Sequence, residues 1–135
     1  AADMACVSAQ PRQLAEVLCV EDHPACLKVV QEALREFAEV RGAGSVQRAL
    51  AELGQCTPTL LLLDLDLPDG DGMQVLDAMR LNPRLQAVPV LVISAAADEA
   101  VFAEARRRGA QACLAKPIDL AQVRRVALSL LGQAL

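Results

Sequence analysis

Five polar residues mark this chain chemically: the pair Glu21-Asp22, then Asp64, Ser94 and Lys116, each standing directly after a short apolar run. Brought together, three carboxylates repel one another, and a hard divalent cation such as Mg²⁺, which takes oxygen ligands and keeps several waters, relieves that repulsion. A site so charged suits an anionic guest. Lys116, one of two lysines in the chain, places a compact positive charge against a phosphoryl oxygen, and Ser94 offers a hydroxyl donor to another. Asp64 then reads as a nucleophile for phosphoryl transfer, where catalysis is mainly positioning and charge neutralisation.

The apolar runs that precede these residues are the elements that must position them. Residues 16–20, 38–41, 60–63, 90–93 and 112–115 are short and almost wholly apolar, as strands buried on both faces should be. Between them lie segments with helical spacing. Leu27, Val30, Leu34 and Phe37 recur at steps of three and four, and 45–53, 72–81, 98–108 and 119–131 behave likewise. Asp98 and Asp119 are placed as N-caps; Gly54, Asn82-Pro83 and Gly109 supply stops. Alternating strands and helices predict an α/β fold, a doubly wound parallel sheet of five strands covered by five helices. In such sheets ligands bind at the C-terminal strand edge, where all five polar residues fall.

Composition narrows the function further. The chain has 135 residues, 54% hydrophobic and 22% charged, with a net charge of −4 and two aromatic residues, Phe37 and Phe102. That suits one domain that folds without staples, and its acidity and lack of aromatics argue against direct nucleic-acid binding. Its apolar runs are too short to span a membrane, and residues 1–10 do not read as a secretory signal. The first residue is Ala, which suggests a processed or excised piece of something longer. Residues 1–14 are expected to form an N-terminal extension to a domain over 15–135. Five cysteines without a C-x-x-C pair fit small apolar side chains in a reducing cytoplasm.

The segments Val17-Leu-Cys-Val-Glu-Asp-His-Pro, Leu61-Leu-Leu-Asp-Leu-Asp-Leu-Pro-Asp-Gly-Asp-Gly-Met, Val90-Leu-Val-Ile-Ser-Ala and Lys116-Pro-Ile together resemble response-regulator receiver domains of two-component signalling. Their order matches, and so do the spacings of 42, 30 and 22 residues that separate Asp22, Asp64, Ser94 and Lys116. The resemblance implies a flavodoxin-like strand order of 2-1-3-4-5. It implies that Asp64 takes phosphate from a histidine kinase or histidine phosphotransfer protein. Asp22 would then ligate Mg²⁺, Glu21 would act through water, and Asp66 would contribute its backbone carbonyl. Ser94 and Lys116 would bind the phosphoryl group. It also implies a cis Lys116-Pro117 bond, a cytoplasmic signalling domain rather than an enzyme, and a downstream effector or a homodimer as partner. The face of the fourth helix, fifth strand and fifth helix would meet such a partner, with Val101, Ala105, Val123 and Ala127 as contacts.

One position departs from the family pattern. Cys113 stands where the family usually carries a switching aromatic ring. Two other functions therefore stay open: a receiver-like interaction module not controlled by phosphate, and an aspartyl-phosphate phosphatase of the haloacid-dehalogenase type, which Asp64-Leu-Asp66 also resembles. That phosphatase reading leaves Glu21-Asp22 unexplained. His23 is expected to be a solvent-facing loop residue, Asp69 and Asp71 to serve turn and helix-start geometry, and Arg106-Arg107-Arg108 to complement a helix C-terminus.

Overall fold

Strands buried on both faces need apolar side chains pointing both ways, and the leucine run at the centre of the chain supplies them. In a computed structural model, which describes residues 14–96 and 98–134, five parallel strands form one sheet: β1 (Ala15–Val20), β2 (Ala38–Ala43), β3 (Leu60–Asp64), β4 (Val90–Ser94) and β5 (Ala112–Ala115). Their order is β2-β1-β3-β4-β5, as expected. Register pairs Leu18 with Leu61, Asp64 with Ile93, and Ser94 with Ala115, so the polar strand ends lie side by side.

Among the described residues five helices cover the sheet: α1 (Pro24–Leu34), α2 (Val46–Gln55), α3 (Met73–Arg80), α4 (Glu99–Arg107) and α5 (Leu120–Ala134). Strand alternation sorts the apolar residues into two cores. Leu18, Leu61, Leu63 and Val92 pack with Leu53, Leu76 and Ala105 from α2, α3 and α4. On the opposite face, Cys19, Leu60, Leu62 and Ile93 pack with Val30, Leu34, Val123 and Ala127 from α1 and α5. Each fully buried leucine contributes about 1.5–3 kcal/mol, so this double layer anchors the strand ends firmly.

Local signals account for the helix limits. Ser45 accepts from the Arg48 N–H at 3.0 Å, Asp98 from Val101 at 2.9 Å, and Asp119 from Gln122 at 3.2 Å. Gly109 ends α4 with φ +115°, a conformation that favours glycine.

Several expectations need correcting. Gly54 does not stop α2, which runs through it to Gln55 before the Cys56 N–H closes the last turn on the Glu52 carbonyl. β2 extends to Ala43 because its pairing with β1 continues to that residue. Phe37 lies beyond α1, although it still packs against the second core. A two-residue ribbon, Asp66–Leu67 with Gly70–Asp71, takes the place of a plain turn after β3. Ala105, Val123 and Ala127 are fully buried in the two cores and so cannot touch a partner. The extension expected over 1–14 lies outside the described residues except for Leu14. Among the described residues no helix is long and apolar enough to cross a membrane.

Candidate functional site

The parallel sheet ends its strands at one edge, and this brings together Glu21 and Asp22 after β1, Asp64 at the tip of β3 and Lys116 after β5. Asp64 is 0% exposed and Glu21 3%, both far more buried than carboxylates usually are. Lys116 answers them. Its Nζ donates to Asp64 Oδ2 at 2.9 Å and to Glu21 Oε2 at 3.3 Å, and stands 3.1 Å from Glu21 Oε1. Burial disfavours the ammonium, but these hydrogen bonds outweigh that and raise the lysine above its ordinary range. The Lys116-Pro117 bond is cis, and the Lys116 N–H donates to the Ser94 carbonyl at 3.0 Å.

Four ligand atoms, one each from Glu21, Asp22, His23 and Asp64, lie within 4.8 Å of one another. This is a donor set that fits a divalent cation. Glu21 Oε1 is buried and accepts no aligned hydrogen bond among the described residues, but it stands 3.1 Å from the Lys116 ammonium. A buried carboxylate oxygen is costly unless something positive meets it, and here an entering cation would compete with that lysine for it.

The loop after β3 shapes the other wall. The Asp66 N–H donates to Asp64 Oδ1 at 3.0 Å, leaving its backbone beside the carboxylate while its side chain is exposed. Gly72 closes that loop. A Cβ added there would stand 2.5 Å from the Asp64 carbonyl oxygen and 2.9 Å from Leu65 Cα, so only glycine fits so close to the strand tip. Asp71 accepts from the Met73 N–H at 2.9 Å, serving the start of α3 as expected.

Ser94 reaches the same edge but joins differently. It is buried, and its Oγ accepts from the Ala96 N–H at 3.1 Å; no hydrogen bond ties it to Asp64 or Lys116 among the described residues. It lines a cavity of about 390 Å³ together with Asp66, Leu67, Ala96 and Val101.

Two residues play larger parts than their sequence positions suggested. His23 is indeed solvent-facing, with a side chain 65% exposed, but Nδ1 lies 3.1 Å from Glu21 Oε2 and 3.3 Å from Asp22 Oδ1. Its place directly after the acid pair was the available signal. Asp69 serves helix-start geometry at α2, not at the helix that follows it. Cys113 is half-buried, and burial pushes its thiol above the ordinary range, so it is not poised as a nucleophile. Of the arginine run, Arg107 and Arg108 pair with Glu104, and Arg108 also with Asp77.

Comparison with known proteins adds a consistent result. Residues 17–127 match the response regulator receiver domain family. The chain is 37% identical over 119 residues to the KDP operon transcriptional regulatory protein KdpE of Escherichia coli, covering 85% of this chain and 52% of KdpE. It therefore spans about half the length of that relative. The fold matches the signal receiver domain of a Luxo repressor protein from Vibrio parahaemolyticus with a TM-score of 0.84 at 24% identity, covering 90% of this chain and 93% of that one. The phosphorylated cyanobacterial phytochrome response regulator RcpA matches with a TM-score of 0.75 at 28% identity, covering 90% and 91%.

Proposed function

Because this chain belongs to the response regulator receiver domain family, the phosphoacceptor module of two-component signalling, we propose that Asp64 is the carboxylate that accepts the phosphoryl group. The observation that carries this reading is the buried Asp64 at the tip of β3, held 2.9 Å from the Lys116 ammonium beside the acid pair.

In this reading Asp22, Asp64 and the Asp66 carbonyl would hold Mg²⁺, with Glu21 assisting through water. When bound there, the ion would supply positive charge against the phosphoryl oxygens. An Asp64 oxygen attacks phosphorus, the bond from phosphorus to the donor imidazole breaks, and the donor ring takes a proton from solvent to leave as a neutral histidine side chain. Lys116 stays with the product, pairing with a phosphoryl oxygen as its contact to Glu21 gives way. Ser94 donates to another oxygen once its Oγ is freed from Ala96. Ala95 is small and exposed, so water retains a path to the phosphorus.

The donor is a histidine kinase or histidine phosphotransfer protein in the cytoplasm, and the recipient of the signal is an effector domain or protein. Treatment with a small phosphodonor such as acetyl phosphate in Mg²⁺ should add one phosphoryl group per chain, and Asp64→Asn should abolish it. Undiminished, acid-stable labelling of that variant would sink the assignment. Cys113 favours a second reading, an interaction module that ignores phosphate. Beryllofluoride separates the two: saturable, Asp64-dependent binding supports the phosphoacceptor, and no binding supports the module.

A further inference from the structure

We propose that His23 is a nitrogen ligand of the divalent-ion site and biases that site toward transition-metal cations such as Mn²⁺ over Mg²⁺. This rests on the cation-binding part of the preceding reading and goes beyond it in naming the ligand and the preference.

Geometry supplies the first argument. Ligand bonds of about 2.1 Å place neighbouring donors of an octahedral ion about 3 Å apart and opposite donors about 4.2 Å apart. His23 Nδ1 lies 3.3 Å from Asp22 Oδ1, close to the spacing of neighbouring donors, and ligand atoms of Glu21, Asp22, His23 and Asp64 fall within 4.8 Å of one another.

Local structure explains why the ring stands there. Pro24 is the first residue of α1, and a residue before proline is steered to extended backbone; His23 has φ −94° and ψ 117°. Its N–H donates to Glu21 Oε2 at 3.1 Å, which ties the backbone to the acid pair, and its side chain makes no capping bond to the helix. The ring is thus held over the carboxylates, where Nδ1 makes a hydrogen-bond contact with Glu21 Oε2 at 3.1 Å that an ion would replace. With Nδ1 bound to an ion, the ring proton sits on Nε2, and the high exposure of the side chain leaves that nitrogen a solvent partner.

Chemistry sets the preference. Mg²⁺ favours oxygen ligands and sheds water reluctantly, whereas imidazole suits first-row transition metals. One nitrogen among oxygens therefore raises affinity for the second class without excluding the first.

His23 is the single histidine of the chain, which makes the test unambiguous on untagged protein. Pulsed electron paramagnetic resonance of bound Mn²⁺ should show imidazole ¹⁴N modulation in the wild type and none in His23→Ala. The preference for Mn²⁺ over Mg²⁺, measured by calorimetry, should fall by at least about tenfold in that variant. His23→Asn, which retains a polar side chain, should behave like His23→Ala. Bound Mn²⁺ without nitrogen modulation, or an unchanged preference in His23→Ala, overturns the proposal. Asp22→Asn separates the two levels of the argument. If it abolishes Mn²⁺ binding while His23→Ala changes nothing, only the histidine inference falls. If Mn²⁺ binding survives Asp22→Asn, the acidic site itself is wrong.

Discussion

The Asp69 carboxylate accepts the N–H of Val46 at 2.8 Å, and so caps a helix that begins 23 residues before it in the chain. Its other oxygen accepts from Gln47 at 3.0 Å, and Ser45 takes the next donor, Arg48. The first three orphan donors of α2 are thereby satisfied by two side chains from opposite ends of a long sequence interval. Asp69 belongs to the loop that starts at the Asp64 strand tip, so α2 and the acidic site share one piece of chain.

Asp69→Ala should lower the melting temperature by a few degrees at neutral pH. The hydrogen bonds from Gln47 and Val46 hold the Asp69 carboxyl below its ordinary value of 3.8. A depressed carboxylate stabilises the fold above that value, and the contribution is lost as pH falls through the folded-state pKa. The gap between wild type and variant should therefore be full above about pH 4 and close at more acid pH, as followed by circular dichroism.

Gly72→Ala and Gly54→Ala should act in opposite directions. At Gly72 the new methyl meets backbone on both sides, so a loss of about 1–3 kcal/mol and slower phosphorylation are expected, because the Asp64 tip must shift. Gly54 is exposed within α2 with nothing inside 4 Å. Its replacement should add about 0.5–1 kcal/mol by helix propensity and leave the site unchanged. Urea unfolding and labelling by acetyl phosphate read both.

Lys116→Met should leave Asp64 and Glu21 buried without their cation. Breaking such a pair costs about 3 kcal/mol. Mg²⁺ should restore more stability to this variant than to the wild type, because the ion meets less competition there. Thermal melts with and without Mg²⁺ give the comparison.

Cys113→Ala should cost about 1 kcal/mol from lost packing and leave phosphorylation of Asp64 at its wild-type rate. The thiol packs against the first core, and its one hydrogen-bond partner among the described residues is the Phe102 carbonyl at 3.9 Å. A slowed reaction would give Cys113 a part in the chemistry.

Sheet order, strand positions and the convergence of Glu21, Asp22, Asp64 and Lys116 were legible because parallel strands present their C-terminal ends together and apolar runs declare the strands. The approach of His23 to the acid pair was not, because a residue before proline reads from sequence as ordinary loop. Asp69 was read as a local turn residue, since nothing in its neighbourhood announces a helix 23 residues upstream. Three of the four expected partner contacts failed for a related reason: Ala105, Val123 and Ala127 carry the helical period, and that period reports the face turned inward. Ser94 stood at the right edge, yet its hydroxyl is engaged with Ala96, a detail set by the loop rather than by the strand.

The Lys116 ammonium, held 2.9 Å from Asp64, also makes the pocket an ion exchanger that carries its own resident counter-ion. A divalent cation entering it displaces a competitor that is covalently attached and so cannot be diluted or washed away. Its apparent affinity is the intrinsic one multiplied by a constant fraction, the standing share of protein in which the lysine has released the carboxylates. Any change that loosens the Lys116 backbone from the Ser94 carbonyl weakens that competitor and, without touching a ligand, tightens metal binding.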